Sequence, residues 1–353
     1  MNNNIFPEGF ISLDHLKQDH YTINAHFERG KNASGALIIQ EANKWVEQAR
    51  LRPAPKMLFD EFWFENELCV LFADTNVGKS ILAVQIADSI SKGIPIEGFR
   101  FTGKPMRVLY CDFELSDKQF ELRYSEEKKS YRFSKRFFRA EINPDCELPE
   151  GVTDMEQYIN ISLEQLLSTK QSEVLIIDNL TYLRTGTEKA SDALPLMKSL
   201  KSIKRKYNVS ILVLAHTPKR DLTKPLTKND LQGSKMLINF VDSCFAIGES
   251  NNESSQRYLK QIKVRNASVR YDTTNVVVTE IIKEDAMVRF QFIEYDYEFN
   301  HLKVRTEEEI QELDQQIVEL KKSNPSLSYQ MISEQLNTNK TRVMRVLKRA
   351  DLS

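Results

Sequence analysis

The chain has 353 residues, of which 41% are hydrophobic and 28% are charged, and its formal net charge is -1. These values are ordinary for a globular protein with one large domain and a small appendage. Because the net charge is close to zero, the molecule as a whole does not attract nucleic acid, and any such affinity must come from local basic patches.

The N-terminal residues, MNNNIFPEGF, contain neither a basic region nor a long apolar stretch, and nowhere do about eighteen apolar residues follow one another. We therefore expect no signal peptide, no membrane partner and a cytoplasmic location. The cysteines form no CxxC pair and have no histidine at metal-binding spacing, so we expect reduced thiols that fill core space. They are Cys69, Cys111, Cys146 and Cys244.

Three domains are predicted. Residues 1–55 are polar, with an amphipathic helix from about Ala36 to Arg50. In residues 56–300, short β-branched apolar runs alternate with helical patterns, which predicts an α/β fold with a mainly parallel sheet. The predicted buried strands are Leu68–Ala73, Arg107–Asp112, Glu173–Asp178 and Ser210–Ala215. Edge hairpins are predicted at Tyr258–Val264, Thr273–Ile282 and Met287–Tyr295.

A phosphate-binding loop follows the first predicted strand. Residues Ala73 to Ser80, ADTNVGKS, fit the P-loop pattern with alanine in place of the first glycine, and a helical pattern follows from Ile81. Gly78 allows the tight turn in which backbone N–H groups converge on phosphate oxygens. Lys79 would neutralise the β- and γ-phosphates, and the Ser80 hydroxyl would bind Mg²⁺. The predicted cofactors are ATP and Mg²⁺. The nucleotide-binding residues are Ala73, Asp74, Thr75, Asn76, Val77, Gly78, Lys79, Ser80 and Ile81.

Carboxylates end two other predicted strands. Asp178 follows four apolar residues, as in a Walker B element, and would hold the magnesium shell; capping of the following helix is the alternative. Asp112 and Glu114 end the strand VLYCD, at the edge of the sheet where ligands collect. Either carboxylate could orient or deprotonate the attacking water, and either could instead cap a helix.

The order of these motifs resembles that of RecA-like P-loop ATPases, and specifically the plasmid-replication hexameric helicases of the RepA type. The resembling segments are VLYCDFELS, ILVLAHTPK, LQGSKMLINFVDSCFAI and LKQIKVRN. This resemblance implies that Glu114 is the catalytic glutamate and that His216 is a sensor of the γ-phosphate. It also implies that Lys263 and Arg265 reach the nucleotide of a neighbouring subunit. A solvated strand face is the alternative for those two cations.

Two segments are candidate DNA contacts. The loop after His216 is basic and rich in turn residues, and in RecA-like motors the corresponding loop grips single-stranded DNA in a central channel. Its candidate residues are Lys219, Arg220, Lys224 and Lys228. No aromatic residue lies among them, so the sequence gives no support for base stacking, and a solvated surface loop is the alternative.

The last segment, residues 301–353, is predicted to contain a charged helix near Thr306–Lys322 and then a winged-helix-like helix-turn-helix. Its predicted core is Met331, Ile332, Leu336, Val343, Val346 and Leu347. Its second helix would present Lys340, Thr341, Arg342 and Arg345 to duplex DNA. A helical hairpin that only caps the ATPase domain is the alternative.

Three functions are compatible with these features. The favoured hypothesis is a ring-forming, hexameric ATPase that acts as a DNA helicase or translocase in the replication of a plasmid or mobile element. The second is a DNA-binding ATPase switch in regulation, partition or transposition that does not unwind DNA. The third is a nucleotide-binding protein that assembles with a partner and hydrolyses little ATP.

Overall fold

The computed structural model describes residues 33–34, 37–180, 190–218, 220–231, 235–304, 306–336, 338 and 340–350. The chain divides into two compact units, Met1–Pro55 and Lys56–Ser353. In the first unit, β1 (Ala33–Ser34) pairs with β2 (Leu37–Ile38), and α1 (Ala42–Arg50) follows. The helix begins later than predicted because Leu37 and Ile38 pair as a strand.

The second unit is built on a nine-stranded sheet with the order β15-β14-β13-β12-β5-β11-β10-β6-β9. The strands from β12 to β9 in this order are parallel, and the remaining pairs are antiparallel. The parallel strands are β5 (Leu68–Ala73), β6 (Val108–Asp112), β9 (Phe137–Ala140), β10 (Val174–Asp178), β11 (Ser210–His216) and β12 (Ser243–Glu249). The antiparallel strands are β13 (Gln256–Lys263), β14 (Val276–Glu284) and β15 (Met287–Asp296). The mainly parallel α/β fold is therefore confirmed.

Hydrophobic cores cover both faces of the sheet, which explains the uninterrupted apolar runs. In β5, Cys69 and Leu71 point into one core, and Val70 and Phe72 point into the other. The first core contains α2 (Lys79–Lys92), and the second contains residues of α4 (Met155–Lys170), α5 (Ala190–Tyr207) and α6 (Lys235–Phe240). The short helix α3 (Asp117–Arg123) follows β6. Small hairpins are formed by β3 (Met57–Phe59) with β4 (Trp63–Phe64) and by β7 (Ser125–Glu126) with β8 (Lys129–Ser130).

The C-terminal residues form α7 (Glu307–Ser323), α8 (Tyr329–Gln335) and α9 (Lys340–Arg349). They share a small core of Ile317, Ile332, Val343, Val346 and Leu347, against which Leu336 packs. The prediction that Met331 lies in this core was wrong: Met331 is 48% exposed, because α8 turns Ile332 rather than Met331 toward α7 and α9. The described residues of 306–350 form helices and no strand, so the winged-helix likeness and the separation of residues 301–353 as a domain stay predictions.

The edge hairpins are tied to α2 by one buried side chain. The Gln85 amide donates to the Phe290 carbonyl at 2.9 Å and accepts from the Phe290 N–H at 2.8 Å. Both residues are buried. Gln85 therefore satisfies both backbone groups of Phe290 with a single side chain.

We expect Gln85→Leu to lower the free energy of unfolding by about 2 kcal/mol or more, because two buried backbone groups lose their partners while the volume stays similar. Urea unfolding measures this loss. The control is Gln291→Leu on the exposed side of β15, which should change stability by less than about 0.5 kcal/mol. Equal effects in the two variants would contradict the role of Gln85.

Candidate functional site

The loop between β5 and α2 has the geometry of a phosphate-binding loop. Gly78 adopts a left-handed φ of 107°, and a Cβ atom there would lie 2.9 Å from the Ile281 and Phe290 side chains. Only glycine fits both the conformation and the space. Ala73 ends β5 in extended conformation, so alanine in place of the usual glycine introduces no backbone strain.

Lys79 is the first residue of α2 and is almost fully buried. Its Nζ donates to the carbonyl oxygens of Ala73 at 3.0 Å and of Asp74 at 2.8 Å. Burial lowers the pKa of Lys79, and the nearby carboxylates of Asp178, Glu114 and Asp74 oppose that shift. The ammonium group therefore lies inside the loop, at the N-terminus of a helix that itself favours anions.

The remaining loop residues differ in what they can offer a phosphate. Thr75 and Asn76 are exposed, whereas the side chains of Ala73 and Val77 are buried, so these two can contribute only backbone groups. Ile81, in the first turn of α2, packs against the core that contains this helix. The structure thus brings all the predicted nucleotide-binding residues to one loop and one helix end.

Asp178 ends β10 beside this loop and is buried. It accepts a hydrogen bond of 2.6 Å from the Tyr110 hydroxyl, and Ser80 is also close enough to hydrogen-bond it. Burial raises the pKa of Asp178 to about 6, against the lowering effect of those two hydroxyls. Its Oδ1 is buried and has no hydrogen-bond partner among the described residues. Tyr110 carries no motif signal and was missed at the sequence level.

The Ser80 hydroxyl and the unpartnered Asp178 oxygen fit Mg²⁺, which prefers hard oxygen ligands. No group of three or more His, Cys, Asp or Glu side chains suited to a metal occurs in the described part of the chain. Mg²⁺ usually keeps waters and substrate phosphates in its shell and therefore needs few protein ligands.

Glu114, Asn179 and His216 form a polar cluster next to Lys79. Asn179 Nδ2 donates to Glu114 Oε1 and lies 2.9 Å from His216 Nε2, and the Glu114 and His216 atoms are 3.4 Å apart. The hydrogen bond from His216 lowers the pKa of Glu114, and the charge of Lys79 lowers it further. Glu114 is therefore ionised and oriented, as a base for water requires. Asn179 was missed, although it directly follows Asp178.

Asp112 has a different environment from Glu114. Its carboxylate is buried, accepts from Arg139 Nε at 2.9 Å, and accepts the backbone N–H groups of Glu114 and Leu115 at 3.2 and 3.0 Å. These bonds shape the turn that presents Glu114 and leave Asp112 little capacity for a substrate. The geometry favours Glu114 as the base, and that assignment stays a prediction.

Lys263 and Arg265 lie at the opposite edge of the sheet from Lys79. In the sheet, Lys263 lies opposite Cys244, near the start of β12, and Cys244 lies beside Val70 of β5. The P-loop follows the other end of β5, so the two cations and the P-loop are at opposite ends of the parallel strands. Lys263 Nζ donates to the Ile238 carbonyl at 2.5 Å, and Arg265 forms a 3.2 Å ion pair with Asp242. Neither cation is near the nucleotide loop of its own chain.

The predicted DNA contacts are only partly exposed. Arg220 is turned inward: it donates to the Lys224 carbonyl at 2.6 Å and to the Tyr258 hydroxyl. Lys224 and Lys228 are exposed, with Lys224 3.4 Å from Asp221, and Lys219 lies outside the described residues.

On α9, the expected solvent position of Arg342 was wrong. Its side chain is only 12% exposed and is bound to Asp314 at 2.7 Å and to the Ile310 carbonyl, because α7 covers this face of α9. Lys340, Thr341 and Arg345 are exposed as predicted.

A protein-family model described as an AAA domain matches residues 40–221, just over half of the chain. The matched range contains the P-loop, Glu114, Asp178 and His216, and it ends before Lys263 and Arg265. No curated protein matches the chain significantly. Among the described helices, none has the length and apolar character needed to cross a bilayer.

We expect Glu114→Gln to lower ATP hydrolysis by about 100-fold or more while ATP still binds, because glutamine keeps the shape but cannot accept the proton of water. Single-turnover hydrolysis and titration with a fluorescent ATP analogue separate the two effects. Glu121→Gln is the control, since Glu121 is a surface acid paired with Lys118. Equal hydrolysis by both variants would exclude Glu114 as the base.

We expect Asp178→Asn to stabilise the fold at pH 8 by up to about 2 kcal/mol, in buffer without nucleotide or Mg²⁺. The raised pKa of about 6 means that the folded state holds a proton which the unfolded state releases near pH 4. The free energy of unfolding of the natural protein therefore falls as pH rises from about 4 to 6, and the variant escapes this loss.

Urea unfolding at pH 4.5, 6 and 8 checks this pH dependence. Asp112→Asn is the matched control, because Asp112 is equally buried but fully hydrogen-bonded, so this variant should lose stability. If Asp178→Asn loses as much stability at pH 8 as Asp112→Asn does, the Asp178 carboxylate does not destabilise the folded protein.

Proposed function

Since the chain belongs to the AAA domain family of P-loop ATPases, we propose that it is a ring-forming, ATP-driven DNA helicase or translocase that acts in the replication of a plasmid or mobile element. In this proposal the protein is a hexamer in which each ATP lies between two copies of the chain. Lys79, Ser80, Asp178, Glu114 and His216 come from one copy. Lys263 and Arg265 come from the next.

The observation that carries the proposal is the placement of Lys263 and Arg265. They belong to a group of cations at the amino ends of the parallel strands, with Lys201 and Lys204, around the carboxylate of Asp242, and the buried carboxylate of Glu67 lies within electrostatic range of Asp242. Burial lowers the pKa of Lys263, the charge of Arg265 lowers it further, and the charge of Asp242 opposes that shift. In the proposed hexamer, these cations would face a triphosphate held by a neighbouring copy and would stabilise the transferred phosphoryl group.

The path from the nucleotide site to the proposed DNA loop is short. β11 pairs with β5 so that His216 lies beside Ala73, and the N–H of Thr217 donates to the Ala73 carbonyl at 3.0 Å. The loop with Lys224 and Lys228 starts at this point. A change in the contacts of His216 with Glu114 and Asn179 would therefore reach the loop directly along the chain, as a motor requires.

The second candidate, a DNA-binding ATPase switch without unwinding activity, is favoured by the C-terminal helices. α7, α8 and α9 enclose a core of their own and leave Lys340, Thr341 and Arg345 exposed on one helix. A helix with this pattern can enter the major groove of duplex DNA without a ring.

Mixing two inactive variants tests the shared nucleotide site. We expect Arg265→Ala alone to bind ATP and lose turnover, and Glu114→Gln alone to do the same. An equal mixture should recover activity, because about a quarter of the interfaces would then combine an intact Glu114 with an intact Arg265. Steady-state ATPase assays at several protein concentrations, with and without single-stranded DNA, measure the recovery.

The control mixture is Glu114→Gln with Lys79→Ala, since both changes damage the same side of the interface and no site can be whole. Recovery only in the first mixture, together with strand displacement by the natural protein, supports the ring motor. No recovery and no displacement, with tight binding to duplex DNA, would replace it by the switch.

A further inference from the structure

The most exposed large hydrophobic side chain in the described part of the chain is Phe299, which is 79% exposed. It lies in a 3₁₀ helix, Glu298–His301, directly after β15. Tyr297, just before this helix, is 59% exposed. Two large rings thus face solvent within three residues of chain.

Phe299 is presented by a backbone that is fixed on both sides. Glu298 is fully buried and forms an ion pair with Lys260, which is itself buried. His301 is also buried, and its Nδ1 lies 2.8 Å from the Ser250 hydroxyl. Because these two side chains point inward, the two residues between them, Phe299 and Asn300, are held outward, and the exposure of the ring is a property of the fold rather than of a free loop.

The same ion pair connects this helix to the basic loop after His216. Glu298 Oε1 accepts from the Leu226 N–H at 2.6 Å, and Lys260 donates to the Leu226 carbonyl at 2.7 Å. Further along, the Lys303 N–H donates to the Leu222 carbonyl at 3.1 Å. The basic loop contains no aromatic residue, but Phe299, about seventy residues later in the chain, is attached to it through these hydrogen bonds.

Two lysines of the basic loop are exposed near this helix. The acids there have partners: the Asp221 side chain accepts from Thr223 and pairs with Lys224 at 3.4 Å, Asp230 accepts from the Thr227 N–H, and Asp296 accepts from the Tyr297 N–H and the Asn300 amide. Lys224 and Lys228 remain exposed to solvent. Cations and an adjacent exposed ring are the two components with which proteins hold single-stranded nucleic acid.

We propose that Phe299 stacks on a base of single-stranded nucleic acid whose phosphates contact Lys224 and Lys228. This inference rests on the proposed DNA-binding function and adds the residue that holds the bases. Every base has a π-face, so the contact tolerates any sequence. A polyanion fits this surface better than an apolar protein partner does, because the loop joined to this helix through Leu226 carries two exposed lysines.

The test uses fluorescence anisotropy of a labelled oligothymidylate with the full chain. We expect Phe299→Ala to weaken binding about tenfold, the loss of one stacked base. Phe299→Trp should bind at least as tightly as the natural protein, with quenched tryptophan emission when the oligonucleotide is added. Phe299→Leu keeps an apolar side chain but no ring, and it should bind as weakly as Phe299→Ala.

Val304→Ala is the matched control, because Val304 is 78% exposed and has no ring. It should bind like the natural protein, and all four variants should unfold at the natural temperature, since the changed side chains are exposed. If the natural protein does not bind the oligonucleotide, the DNA function fails and the inference with it. If it binds and Phe299→Ala binds equally well, only the inference is overturned. A change in sedimentation of Phe299→Ala without a change in DNA affinity would identify a protein contact instead.

Discussion

A strand buried on both faces can expose polar groups only at its ends, and this constraint organises the whole molecule. β5, β6, β10 and β11 are mostly apolar, and they end in Ala73, Asp112, Asp178 and His216 respectively. Since these strands are parallel neighbours, their carboxyl ends meet at one edge. The same constraint sends the starts of β5 and β12 to the other edge, where Asp242 gathers the second set of cations.

The site combines charges that are costly in the isolated chain. Asp178 is buried and its carboxylate has only hydroxyl neighbours for hydrogen bonds, while Lys79 is buried against two carbonyl oxygens. Asp112, equally buried, is fully satisfied by Arg139 and by backbone N–H groups. Asp112 therefore stabilises the turn before Glu114, whereas Asp178 keeps an oxygen atom that can bind a ligand. Such local instability is common where a protein binds charged substrates.

The parts of the fold that depend on local patterns could be predicted from the sequence. The P-loop, the buried strands and the ends of α7 and α9 follow from periodicity, glycine placement and apolar runs. Tyr110 and Asn179 could not be found, because their roles depend on the pairing of β6 with β10 and β10 with β11. Arg342 and Met331 were misplaced for the same kind of reason: a third helix, α7, decides which face of α8 and α9 is covered. The position of Lys263 at the amino ends of the parallel strands depends on the order of the strands in the sheet, which a single sequence motif does not reveal.

The position of β5 has a consequence for synthesis on the ribosome. Both neighbours of this strand come much later in the chain: β11 begins at Ser210 and β12 at Ser243. Until those segments leave the exit tunnel, the strand that ends in the P-loop has two unpaired edges and two uncovered apolar faces. The hairpin that packs over Gly78 follows later still. A nascent chain of about 240 residues therefore contains the complete phosphate-loop sequence but not both of the strands that pair with β5. During this interval, a chaperone that binds exposed apolar segments can bind β5.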